Sequence, residues 1–192
     1  MSKTFEQIED NLRAFIDGQP VFFVATAPSG PAGHVNVSPK GGAGLHRVTG
    51  PHGFAYVDLL GSGIETVAHV RENGRICVMF AAFDGPPKIV RLHGRGRVVQ
   101  QADAEFPAHL DAFGLDAQRR QAVRSVVTVD VTRVSDSCGY QVPLMEFERE
   151  RDQLIRFAGN RIRKEGPDAV LRYCTTRNPE SIDGLTGIDP LV

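Results

Sequence analysis

The segment Val35-Asn36-Val37-Ser38-Pro39-Lys40-Gly41 brings a hydroxyl, an ammonium group and glycine-loop amides to the end of one strand. A phosphate monoester takes that combination, with charge from Lys40 and hydrogen bonds from Ser38 and from backbone N–H groups. An ordinary β-turn, with Pro39 setting φ and Lys40 solvated, uses the same residues. A second segment, Asp58-Leu59-Leu60-Gly61-Ser62-Gly63-Ile64-Glu65-Thr66, has Ser62 and Glu65 at the spacing of a capping box. The helix start behind it is also an anion site, because its first N–H groups point outward and its dipole favours negative charge. Cap and phosphate compete there for the same donors. In a third segment, 88–97, alternation puts Arg91, His93, Arg95 and Arg97 on one face and Val90, Leu92, Gly94 and Gly96 on the other. Arg91 can reach an anionic cofactor or substrate, whereas Arg97 reads as a solvated position.

Other reactive residue types form no constellation. The six histidines are dispersed without metal-ligand spacing. Cys77, Cys138 and Cys174 contain no Cys-x-x-Cys pair, so neither a disulfide framework nor a zinc knuckle is indicated, and Cys138 reads as a buried inert thiol. Nothing places Asp130 and Asp136 across a common substrate. No residue is nominated as catalytic.

These segments need a scaffold, and the hydrophobic pattern supplies one. Phe5, Ile8, Leu12, Phe15 and Ile16 recur at helical spacing, with Thr4 as a cap and Gly18 as a stop. Strands are expected over 21–26, 34–38, 45–49, 54–59, 75–83, 88–100 and 125–134. A helix is expected from the Ser62 region to about 72, ended by Gly74. Gly94 and Gly96 inside a long strand predict bending and close backbone approach. Residues 102–124 read as helical with a break at Gly114, residues 143–164 as one charged helix, and 167–174 as a short one. Short strands joined mostly by turns favour an antiparallel barrel, because a doubly wound parallel sheet needs a helix after nearly every strand.

Composition bounds the function. The 192 residues suit a single domain, and 22 Lys and Arg against 23 Asp and Glu give a formal net charge of -1. That balance provides no general field for a nucleic-acid backbone or an anionic membrane. The N-terminus has no apolar signal segment, and no apolar run reaches membrane-spanning length, so a cytoplasmic protein is expected.

Taken in order, the helix, the hairpin ending Val-Asn-Val-Ser-Pro-Lys-Gly, Tyr56-Val57-Asp58-Leu59-Leu60-Gly61-Ser62 and Arg91-Leu92-His93-Gly94-Arg95-Gly96 resemble the pyridoxamine 5'-phosphate oxidase-like flavoproteins. The resemblance covers roughly residues 5 to 135. It implies an antiparallel split β-barrel with flanking helices, an FMN cofactor in a cleft between the subunits of a homodimer, and a small-molecule substrate. Cofactor contacts would fall on Asn36, Val37, Ser38, Pro39, Lys40, Asp58, Ser62, Gly63, Thr66 and Arg91. Residues 1–136 would form the flavin-binding barrel and 137–192 a helical extension packed on it, with a tail that folds over the cleft.

The departures from the family pattern are specific. Val35 stands where the true oxidases usually have arginine, Gly63-Ile64 where they have Arg-Lys, and the C-terminal arginine-leucine-proline signature is missing. Pyridoxamine phosphate oxidation itself is therefore not expected. The reading is an FMN-dependent oxidoreductase of an uncharacterised branch. The alternative is a barrel that carries a flavin, a deazaflavin or haem without catalysis.

Overall fold

The computed structural model describes residues 2–189. The last part of the tail, Pro190-Leu191-Val192, lies outside the described residues. The chain runs β1 (Lys3–Phe5), α1 (Asp10–Asp17), β2 (Val21–Thr26), β3 (Asn36–Gly41), β4 (His46–Gly50), β5 (Gly53–Leu59) and α2 (Glu65–Asn73). It continues with β6 (Arg75–Ala81), β7 (Ile89–Gln100), α3 (Phe106–Asp111), α4 (Ala117–Gln121), β8 (Val123–Ser137), α5 (Gln153–Glu165) and α6 (Ala169–Arg177). No helix among the described residues is long and apolar enough to cross a membrane.

Period-two alternation makes the sheet. In β2 every second side chain, Phe22, Val24 and Thr26, is buried. All pairings are antiparallel, in the order β3-β2-β6-β7-β8-β5-β4, with β1 added to the end of β8. The sheet curls into a half-barrel around Phe22, Phe54, Tyr56 and Phe80, whose rings pack 5.4–5.9 Å from Phe22. Each such buried ring contributes about 1.5–3 kcal/mol. Among the described residues no ladder joins β3 to β4, so the barrel is open between its two edge strands. This is the mainly β, split-barrel architecture expected.

Gly94 is where the two longest strands bend together. The register between β7 and β8 shifts between His93 and Gly94, and a methyl group on Gly94 would overlap the Asp130 carbonyl. Gly74 ends α2 with φ 69°, the left-handed value that favours glycine.

Three local expectations are corrected. Residues 3–5 are strand, because Phe5 pairs with Val134 of β8 and buries its ring, so α1 starts only at Asp10. Residues 143–152 are not helical. This arm is pinned by Met145 N–H to the Phe83 carbonyl (2.8 Å) and by Glu150 to Arg119 (3.0 Å), and helix begins only at Gln153. The stretch 102–124 holds two short helices rather than nearly continuous helix, and Arg124 belongs to β8.

Helices α5 and α6 pack on the barrel through Ala158, Val170 and Cys174, which meet Leu60, Ile64 and Val67. After α6, residues 178–189 form a strap that turns back on itself. Its Ile188 N–H bonds the Asn178 carbonyl, and Ile188 joins the same apolar cluster.

Candidate functional site

Antiparallel register assigns the residues of β3 to faces. Asn36, Ser38 and Lys40 pair with Thr26, Val24 and Phe22 and share their inward face. Asn36 Nδ2 donates to Thr66 Oγ1 (2.9 Å) and to Thr26 Oγ1 (3.4 Å), and Ser38 Oγ donates to Asn36 Oδ1 (3.2 Å). Lys40 reaches from the edge strand to Asp58 on β5, with Nζ 2.7 Å from Oδ1. That ion pair ties the two sides of the half-barrel where no ladder does.

Asp58 is almost wholly buried and is shared. Arg124, on β8 and also buried, places Nε 2.9 Å and Nη2 2.8 Å from Asp58 Oδ2. Burial alone would push the Asp58 carboxyl up, but Arg124 and then Lys40 overrule it and hold it at about 2. Burial likewise pulls on the Arg124 guanidinium, and the Asp58 carboxylate more than offsets it, raising its pKa. Two cations facing one carboxylate leave one formal positive charge at this corner.

The turn 61–63 sits beside it. Arg124 Nη1 donates to the Gly63 carbonyl (2.8 Å), while Asn178 Nδ2 donates to the Gly61 and Ser62 carbonyls (3.1 Å each). The backbone N–H groups of Gly61, Ser62 and Gly63 have no acceptor among the described residues. The capping box does not form. Ile64 is the N-cap residue of α2, its N–H is taken by the Glu65 carboxylate (3.0 Å), and Ser62 caps nothing.

The structure thus joins five of the expected site residues, Asn36, Ser38, Lys40, Asp58 and Thr66, and sets Ser62 and Gly63 next to them. Val37, Pro39 and Arg91 are elsewhere. Arg91 pairs with Met79, Met79 with Phe23, and Phe23 with Pro39, so all four side chains share the outer face of the sheet. There Arg91 donates to Ser137 Oγ (3.1 Å), and Val37 is 60% exposed. A cleft of about 640 Å³ opens between residues 17–21, 42–44, Phe83 and the arm 145–150, and none of the ten expected contact residues lines it.

Several participants lie outside the sequence motifs. Arg124 carried a usable signal, since a lone arginine before Ser125-Val126-Val127 in a buried strand must have a partner. Asn178 carried none, because only the docking of the strap brings it there. His69 is buried, with Nδ1 3.0 Å from Thr26 Oγ1 and Nε2 3.9 Å from Asp183, which also binds His34 Nδ1 at 2.7 Å. Cys138, expected as a buried thiol, is exposed, and Cys174 is the buried one, its thiol pushed up to about 11 by burial.

Sequence and fold are both shared with known proteins. Residues 8–138 match the family described as pyridoxamine 5'-phosphate oxidase. The Aspergillus flavus protein described as "Pyridoxamine 5'-phosphate oxidase family protein ustO" is 37% identical over 198 residues, covering 96% of this chain and 77% of that one. Two crystal structures of HupZ from Group A Streptococcus are similar in fold. One has a TM-score of 0.53 at 21% identity over 68% of this chain and 99% of its own. The other has 0.51 at 20% identity, over 66% and 91%.

Proposed function

Because the chain belongs to the pyridoxamine 5'-phosphate oxidase family, we propose that it binds FMN at a face shared by two copies of itself and acts as an oxidoreductase on a small molecule. The observation that carries this is the 61–63 turn, whose N–H groups have no acceptor among the described residues and lie beside the net positive corner of Lys40, Arg124 and Asp58. Amides and a single positive charge suit a phosphate monoester. When bound, the flavin supplies the redox chemistry. Asn36, Ser38, Lys40 and the turn bind and orient it.

The chain offers little proton chemistry of its own at this corner. Asp58, held at about 2, stays ionised. The buried Tyr56 hydroxyl, pushed well above its ordinary value by burial and then by Asp58, stays protonated. Val35, Gly63 and Ile64 replace cationic residues of the true oxidases, so pyridoxamine phosphate is not the proposed substrate.

Support for the second copy comes from the outer side. Val35 is 73% and Val37 60% exposed, and Tyr140 and the arm residues Leu144 and Phe147 are open to solvent. Apolar surface of this kind is ordinarily covered by a partner. We assign residues 1–136 to the flavin-binding barrel and 137–192 to an extension packed on it. A cytoplasmic location suits an exposed free thiol such as Cys138.

The test is an absorption spectrum of the protein as purified and after addition of micromolar FMN. The expected result is flavin bands that bleach on reduction and recover in air. A colourless protein that takes up no FMN refutes the proposal. The alternative is a non-catalytic module that carries a flavin, a deazaflavin or haem on the same barrel. Tight FMN binding without turnover by nicotinamide cofactors would favour it, and a Soret band on haem addition would favour haem.

A further inference from the structure

We propose that Asn178, outside the segment matched to the family, is a positioning residue for the phosphate end of the cofactor, an inference that rests on the FMN reading above. Asn178 is fully buried at the end of α6. Both ends of its side-chain amide are engaged. Nδ2 donates to the Gly61 and Ser62 carbonyls, and Oδ1 accepts from Arg124 Nη1 at 3.0 Å. Arg124 in turn holds the Gly63 carbonyl. Three successive carbonyls are therefore bound from the protein side. In a planar trans peptide the C=O and the following N–H point in opposite directions. Fixing those carbonyls inward turns the N–H groups of Ser62, Gly63 and Ile64 outward. The Glu65 carboxylate takes the last of these, which leaves Ser62 and Gly63 presenting two donors to a ligand.

The strap holds Asn178 in place. Ile188 N–H bonds the Asn178 carbonyl and Gly187 N–H the Pro179 carbonyl, both at 2.8 Å. Arg71 on α2 binds the Gly187 carbonyl and the Asp189 carboxylate, and Gln100 on β7 also binds Asp189. At Gly187 a methyl group would overlap both the Asn178 carbonyl and the Ile64 side chain, so the strap lies close against the turn. Besides any fold over the cleft, the strap's contacts give it a role on the carbonyl side of the turn, aiming its amides.

FMN and riboflavin share the ring and differ in the phosphate, so together they separate positioning from general loosening. Both are titrated by flavin fluorescence into the full chain and into Asn178→Ala, Asn178→Asp and the control Asp152→Asn. Asn178→Asp keeps the shape and the acceptor but loses the donor. Misaiming two charge-assisted donors is expected to weaken FMN by about 10-fold or more in both Asn178 variants, with riboflavin changed less than about twofold and Asp152→Asn, at an exposed ion pair of α5 remote from the turn, like the parent for both. Unchanged FMN binding, or equal weakening of FMN and riboflavin, overturns the proposal. If the Asn178 variants do not fold, hydrogen exchange on the parent decides, because FMN but not riboflavin must protect the Ser62 and Gly63 amides. A parent chain that binds neither flavin refutes the FMN reading and this inference together. A parent that binds FMN with Asn178 variants unaltered refutes the inference alone.

Discussion

Replacing Asp58 by Asn removes the carboxylate that Lys40 and Arg124 share. The side chains of Asp58, Arg124 and Lys40 are 1%, 4% and 21% exposed, so water cannot replace the lost charge around Arg124. Breaking a buried ion pair from one side costs about 3–5 kcal/mol, and the carboxamide recovers part of this by accepting one hydrogen bond. A loss of about 3 kcal/mol at pH 7 is expected. The acid range gives an independent handle. The folded-state value of Asp58, about 2, lies below its ordinary 3.8. The ionised form is thus the one folding favours, and its contribution is complete above pH 3.8 and lost as pH falls from there towards 2. The gap corresponds to about 2 kcal/mol. Urea unfolding of both proteins from pH 7 down to pH 2 measures both quantities. The parent-minus-variant difference should be flat down to about pH 4 and then shrink by about 2 kcal/mol. A variant within about 1 kcal/mol of the parent at pH 7, or a difference that ignores acid, refutes the claim that this ion pair ties the half-barrel together.

Gly94→Ala forces a methyl group into the Asp130 carbonyl and should cost about 2–3 kcal/mol in chemical denaturation. Gly159→Ala, in α5 with open space around it, should instead gain about 0.5–1 kcal/mol, and a variant order the other way round would discredit the close approach of β7 and β8. Burial lowers the pKa of His69, against the pull of Asp183, Glu65 and Glu72, so folding favours its neutral form. Its stabilisation is present above about pH 6.5 and declines as pH falls below it. The thermal midpoint of His69→Asn should therefore fall less than that of the parent between pH 7.5 and 5.5, and parallel curves would disprove the assignment.

Much of the barrel was legible in the chain because its causes are local. Val21 to Thr26 alternates, Gly74 can take the left-handed conformation that ends a helix, and Gly94 marks a place where only hydrogen fits. These follow from side-chain size and backbone freedom within a few residues. The order of the motifs also led to the family, and the faces of β3 follow from alternation once its partner is known.

Other features depend on partners far along the chain. Phe5 carries a helical spacing, but pairing with Val134 outweighs it. Ser62 and Glu65 have capping-box spacing, yet Glu65 folds onto the Ile64 N–H and Ser62 is left out of the cap. Lys40, read as the cation for a phosphate, meets Asp58, a buried acid whose own demand for charge is met by Arg124 as well. The opening segment from Val35 to Gly41 shows the division plainly. Its strand and its chemical repertoire come from residue type and alternation. Which of its groups face Asp58, which face outward, and how the 61–63 turn presents its amides depend on Arg124 and Asn178, because buried charges and carbonyls must find partners wherever the folded chain supplies them.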